Sequence, residues 1–188
     1  MKTTEITKNN PLFKPLKWLS KAISKDKTRE ILNYAAYHSK EQVLVGTDGR
    51  RLHKIKGNFL ASIFGNEDTL VKFVSVSASS IVIMPVETDL TYPDWERTIP
   101  QKEGEKVKLL IKKGDNPSFR AFKSIQTVCP CLFDEDFFKD FIGIGSFLSA
   151  KGDSLEIEFE VLDDTSPLRV HLVNGEIEML GILMPMRG

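Results

Sequence analysis

The sequence predicts an α+β fold of mostly antiparallel sheets with two helices. Three features carry that reading. The segment LEIEFEV at 155–161 alternates Leu155, Ile157, Phe159 and Val161 with Glu156, Glu158 and Glu160, the period of a strand with one wet face. Asp-Gly at 48–49 and Asn-Gly at 174–175 each separate two strand-like runs, as hairpin turns do. Long helical patterns between the strands, which parallel pairing needs at nearly every step, are scarce.

Taken in order, Leu12, Leu16, Leu19 and Ile23 recur at helical spacing, with Lys14, Lys17, Lys21 and Lys25 as a second stripe, so an amphipathic helix with a basic outer side is expected. Asn10 and Pro11 can start it if Pro15 falls in the first turn, where its missing amide costs no hydrogen bond. Residues 31–39, 42–47 and 51–56 read as strands, with Asp48 and Gly49 as the turn between the last two. Residues 58–64 read as a short helical turn before Gly65, followed by strands at 70–76 and 81–86. The stretch TYPDWERTIPQKEGE at 91–105 has the proline and glycine of a connection and marks an internal boundary. Strands are expected at 107–112 and 119–125, then a short helix capped by Asp134, with Phe133, Phe137, Phe138 and Phe141 as its apolar contacts, ended by Gly143 and Gly145. Residues 168–173 and 176–186 close the chain as a hairpin.

The 26 basic and 26 acidic side chains cancel, but unevenly along the chain. Residues 1–60 hold 13 Lys and Arg against 5 Asp and Glu, whereas residues 131–165 hold ten acids against Lys139 and Lys151. A basic surface attracts phosphate even on a neutral molecule, because screening confines the field to ~10 Å. Two solvated faces of opposite sign are the alternative reading.

A composition of 41% hydrophobic and 28% charged residues excludes collagen-like and disordered classes. No run approaches the ~20 apolar residues of a membrane helix, and the first residues lack a secretory signal pattern, so a cytoplasmic location with no membrane partner is expected. Cys129 and Cys131 are separated by Pro130 alone, which makes a bridge between them geometrically poor, and reduced thiols are expected. His38, His53 and His171 lack paired ligand spacing, and no phosphate-loop, dinucleotide, HExxH or GxSxG pattern occurs. No catalytic residue, metal or cofactor is therefore assigned.

Three segments are more specific: VGTDGRRLHKI at 45–55, YPDWERTIP at 92–100 and GILMPMRG at 181–188. Together and in this order they resemble the sliding clamp of bacterial replication, the beta subunit of DNA polymerase III, whose family carries an ATDGHRL-type hairpin, an FPDY-type connector and a C-terminal VMPMR strand. The stretch LFKPLKWLSKAISKDKTREILNYAAYHS is similar to the helix and strand that precede that hairpin. The resemblance covers about residues 10–56, 92–100 and 155–188. It implies a DNA-clamp-like fold and a non-catalytic replication processivity factor that binds duplex DNA without sequence preference and tethers a polymerase or repair partner by a peptide in a groove. By resemblance, the duplex candidates are Lys14, Lys17, Lys21 and Lys25. The groove candidates are Thr47, Gly49, Arg50, Arg51 and Leu52, then Pro93 and Arg97, then Ile182, Met184, Pro185, Met186 and Arg187. Arg50 stands where the family usually has His.

These residue types suit the role, since Leu52, Pro93, Met184 and Met186 supply an adaptable apolar trough and arginines can rim it. The alternative reading has Leu52, Ile182 and Met184 as core strand residues and Asp48-Gly49 as a plain turn. The chain is short beside a clamp ring of six related domains. Residues 1–188 are expected to form a single clamp-like module of pseudo-repeated halves, 1–100 and 101–188, or else two reduced clamp domains with the same boundary. A homo-oligomeric ring would then close through edge strands of several copies. A clamp-derived interaction module that does not encircle DNA is the rival, because Asp134, Glu135, Asp136 and Asp140 would repel phosphate. A metal-dependent nuclease or hydrolase using Asp134 and Asp136 is a third reading.

Overall fold

The computed structural model describes residues 3–112, 125, 127, 133–140, 154–163 and 165–186. Among these residues ten antiparallel strands, numbered in chain order, form one sheet in the order β1-β6-β5-β2-β3-β4-β10-β9-β8-β7. The first half of the chain supplies β1 (Thr4–Thr7), β2 (Ala35–His38), β3 (Val43–Thr47), β4 (Arg51–Lys56), β5 (Thr69–Val76) and β6 (Ser80–Val86). The second supplies β7 (Glu105–Lys112), β8 (Ser154–Val161), β9 (Leu168–Asn174) and β10 (Ile177–Leu183). The two sets meet where β4 pairs with β10 over six residues, from Lys56 with Glu178 to Arg51 with Leu183. The α+β class and the antiparallel sheet are as the sequence predicts.

The first helix, α1 (Phe13–Leu19), continues only as a 3-10 turn through Ala22. Pro15 lies in its first turn, and Leu16, Trp18 and Leu19 are buried against the sheet. Lys25 lies beyond the helix, so the helical lysine stripe ends at Lys21, a correction to the four-lysine stripe. A second short helix, α2 (Phe59–Phe64), ends at Gly65, whose φ of +85° lets the chain reverse. Residues 135–140 are helical, with Asp134 as the cap: its Oδ1 accepts the Asp136 and Phe137 amides at 3.0 Å each.

Other expectations need adjusting. β1 was not expected, because TEIT is short and polar on three of its four positions. Residues 30–33 form a 3-10 turn, so β2 begins at Ala35 rather than Ile31. Ile125 is helical, against the expected strand, and 119–124 lie outside the described residues. Both hairpin tips fall one residue later than expected. The Asp48 amide bonds the Arg51 carbonyl at 3.4 Å, leaving Gly49 and Arg50 at the tip, and Asn174 pairs with Ile177, leaving Gly175 and Glu176. The glycine takes the positive φ in each, +85° and +60°. The last strand stops at Leu183 rather than Met186, because Pro185 has no amide with which to continue the ladder.

Alternation divides the sheet into two faces. Tyr37, Leu44, Ile55, Met179 and Leu183 join Leu16, Trp18 and Leu19 of α1, Phe138, and Phe159 of β8 in one cluster that spans both halves of the chain. Gly46 lets the helix segment approach β3, since a Cβ there would lie 3.1 Å from Ile23 and 3.2 Å from Leu19. The opposite face is covered by the 91–100 connector, with Val43, Val45, Leu52, Leu180 and Ile182 packed with Trp95, Tyr92 and Ile99. Hereafter these are the helix face and the connector face.

Candidate functional site

The hairpin, the connector and the C-terminal segment converge on the connector face at the β4-β10 joint. The Met184 amide donates to the Arg50 carbonyl at 2.9 Å, extending the ladder to the hairpin tip. Leu52 lies opposite Ile182 in the register, and both pack with Trp95. The Thr47 amide donates to the Tyr92 hydroxyl at 3.2 Å, while the Thr47 hydroxyl bonds the Arg51 carbonyl at 2.7 Å and accepts the Gly49 amide at 3.1 Å. Burial raises the Tyr92 hydroxyl well above its ordinary pKa, so it stays protonated.

The candidates differ in exposure. Leu52 and Ile182 are 2% and 0% exposed and form a floor under the connector. Met184 and Pro185 are half-buried, Pro93 is exposed, and Met186 is 55% exposed, so they carry the open apolar surface. Arg97 stands 85% exposed, its Nε 2.7 Å from Asp94 Oδ2. Pro93 and Arg97 flank Trp95 at two residues on either side. Arg187 lies outside the described residues.

Arg51 points the other way. It is 9% exposed on the helix face, with Nε 3.0 Å from Asp48 Oδ2, Nη1 3.0 Å from Asp140 Oδ2, and its guanidinium 4.3 Å from the Phe137 ring centroid. Asp48 Oδ1 also accepts the Arg50 and Arg51 amides at 3.0 Å, so one carboxylate caps the turn and holds the arginine. Arg51 thereby joins the hairpin to the 135–140 helix. The spacing of Asp48 and Arg51 was visible in the sequence; Asp140, 89 residues away, was not.

Trp95 and its neighbours were missed by sequence reasoning. Its indole N–H donates to His38 Nε2 at 3.0 Å. An indole only donates, so Nε2 is the acceptor and the His38 proton sits on Nδ1, 3.8 Å from Asp68 Oδ2. Lys54 Nζ lies 5.7 Å from the Trp95 ring centroid, and burial lowers the Lys54 pKa. Trp95 was inside a quoted segment, but nothing in the sequence pairs it with His38.

On the helix face, the duplex candidates are unequal. Lys17 Nζ lies 5.5 Å from the Phe13 centroid, Lys14 is half-buried, and Lys25 is exposed in the segment after the helix. Lys21 Nζ is 3.4 Å from Asp140 Oδ1. The acidic helix is therefore partly neutralised: Asp140 by Arg51 and Lys21, and Glu135 and Asp136 by Lys139 at 2.8 and 3.9 Å. Asp134 is occupied as a cap, and among the described residues no three His, Cys, Asp or Glu side chains are placed to hold a metal ion. No helix among them is long and apolar enough to cross a membrane.

The architecture is that of DNA sliding clamps. The chain is similar to the DNA polymerase III beta subunit of Thermotoga maritima, with 16% identity and a TM-score of 0.57 over 99% of this chain and 65% of that one. Borrelia burgdorferi DNA polymerase III subunit beta gives 14% and 0.58 over 100% and 63%, and the C. crescentus beta sliding clamp 18% and 0.55 over 100% and 66%. The chain thus spans about two thirds of the length of these clamps. No family model matches it, and neither does any curated sequence. The likeness is one of fold.

Proposed function

We propose that this chain is a non-catalytic, sliding-clamp-like accessory protein of DNA replication, which tethers a polymerase or repair partner by a short peptide and contacts duplex DNA through its helix face. The observation that carries the reading is the convergence at the β4-β10 joint, where the Met184 amide meets the Arg50 carbonyl at 2.9 Å and Leu52 packs with Ile182 and Trp95. The peptide's apolar residues would rest on Met184, Pro185, Met186 and Pro93 over the Leu52 and Ile182 floor, with Thr47, Gly49 and Arg97 at the polar rim; the Arg50 guanidinium, 5.9 Å from the Phe137 ring centroid, turns to the helix face instead. Arg51 would support the rim from beneath rather than touch the peptide. Phosphate contact would fall to Lys14, Lys17, Lys21 and Lys25 without base readout, as sliding requires.

The chain acts here as one module, its halves 1–100 and 101–188 joined at β4-β10, and the single helix-face cluster supports that reading. Strands β1 and β7 terminate the sheet, and pairing of one copy's β1 with another's β7 would close a head-to-tail ring. The test is calorimetric titration with a peptide of the clamp-binding pattern. Wild type should bind, and Met184→Asp should abolish binding; equal affinity in the two proteins would reject the groove.

A second reading, an interaction module that does not encircle DNA, is favoured by the engagement of Lys21 with Asp140, which withdraws one stripe cation from phosphate. Sedimentation mass and a salt series of duplex binding separate the two. A monomer insensitive to duplex at low salt would leave only the second reading.

A further inference from the structure

The helix face carries a cleft that shares Lys17, Lys21 and Lys25 with the lysine stripe but also holds groups that a duplex-facing stripe does not use. It is bounded by α1 and its 3-10 turn, the Asp48–Arg51 hairpin tip, the 135–140 helix and the tip of the β5-β6 hairpin, and encloses about 880 Å³. Six cationic and three acidic side chains line it. The acids are already engaged: Asp48 and Asp140 hold Arg51 at 3.0 Å each, and Asp26 accepts the Thr28 amide and hydroxyl at 2.9 and 2.7 Å. Lys17, Lys25, Arg29 and Arg50 have no carboxylate within ion-pair distance among the described residues, and they come from three different segments. The β5-β6 hairpin adds half-buried Phe73 and 42%-exposed Val76 beside Ser77, and Ser20, Ser24 and Asn33 complete the polar part of the lining.

Cations on one wall and an aromatic ring on another suit a polymer with phosphates and exposed base faces. A duplex keeps its base faces stacked inside, so it would offer no ring face to Phe73 and Val76. We infer that this cleft binds a short stretch of single-stranded nucleic acid, with phosphates on Arg29, Arg50, Lys25 and Lys17 and a base against Phe73. A volume near 900 Å³ holds one or two nucleotides rather than a long tract. The inference stands apart from the peptide groove, which occupies the other face of the sheet. It adds to the stripe Arg29 and Arg50, whose positions follow from the hairpin tip rather than from helical spacing.

The experiment is fluorescence anisotropy of a labelled twelve-residue oligothymidylate and of a duplex of equal length, each across a salt series, with the full chain. The oligothymidylate should bind more tightly than the duplex. Arg29→Ala combined with Lys25→Ala should weaken it at least ~10-fold and reduce the slope of log K against log salt by about 1.4, the loss of two single-strand phosphate contacts. Phe73→Leu should weaken it by a further ~5-fold or more, and Phe73→Tyr, which keeps a ring, should restore binding. Circular dichroism melting of each variant reports whether it has folded. Unchanged affinity in the folded double variant would overturn the site. Equal losses for duplex and oligothymidylate would make the cleft a duplex contact and overturn the single-strand assignment. Thymidylate binding as tightly as the oligomer would make it a mononucleotide site, with the same consequence.

Discussion

The two faces of the sheet at β4 are built from alternate residues of one six-residue strand, yet they differ in how they are sealed. Toward the helices, Arg51, His53 and Ile55 are each 9% exposed or less, and Trp18 stacks flat on His53 with centroids 3.8 Å apart. Toward the connector, Leu52 is buried under one 3-10 turn, Lys54 is half-buried, Lys56 is exposed, and the cover depends on Trp95 and its bond to His38. The helix side belongs to a core that crosses the whole molecule, whereas the connector side is a small satellite cluster. A thin cover over an apolar floor would suit the peptide groove proposed above, because low local stability permits adjustment.

The largest expected contrast is between the two tryptophans. Trp18→Ala removes a ring that is 0% exposed and should cost about 3–5 kcal/mol of global stability, read from urea denaturation. Trp95→Ala should cost less than half as much and instead loosen the connector, raising hydrogen exchange at Tyr92 and Thr98. Equal losses would contradict the distinction between the faces. Next, Arg51→Ala strands Asp48 and Asp140. The arginine is nearly buried but Asp140 is 32% exposed, so the full cost of a buried broken pair is discounted to about 2 kcal/mol, measured by chemical denaturation.

A third contrast is in pH. His53 donates from Nδ1 to the Trp18 carbonyl at 2.8 Å, and burial lowers its pKa to about 3. The unfolded chain then binds more protons than the folded one between about pH 6.5 and pH 3. Stability should rise with pH across that window, by up to ~1.4 kcal/mol per unit, and be indifferent to His53 above it. His53→Phe should flatten that part of the profile; an unchanged acid limb would show that other groups set it. The smallest effect is expected at the surface, where Arg97→Ala breaks only an exposed pair and should shift stability by less than ~0.5 kcal/mol.

Much of the fold was legible because strand alternation and turn glycines act locally. β4 was expected at the residues where it lies, and β8 to within one residue, because both alternate over six or more positions. β1 escaped because four residues with one buried side chain give no period, and the Glu30–Asn33 turn escaped because EILN reads equally well as a strand. The convergence at the β4-β10 joint was anticipated only through resemblance; in the structure it is set by β-pairing across more than 100 residues, which no local pattern encodes. For the same reason the roles of Arg51 and Trp95 were hidden. Their partners, Asp140 and His38, are 89 and 57 residues away.

The most direct test of two faces with two tasks is a crossed titration. Met184→Asp and a combined Lys14→Glu, Lys17→Glu variant are each measured against the clamp-binding peptide and against duplex DNA. The account predicts that the first loses the peptide and keeps the duplex, while the second does the reverse. Both variants losing both ligands to the same degree, with melting curves intact, would contradict it.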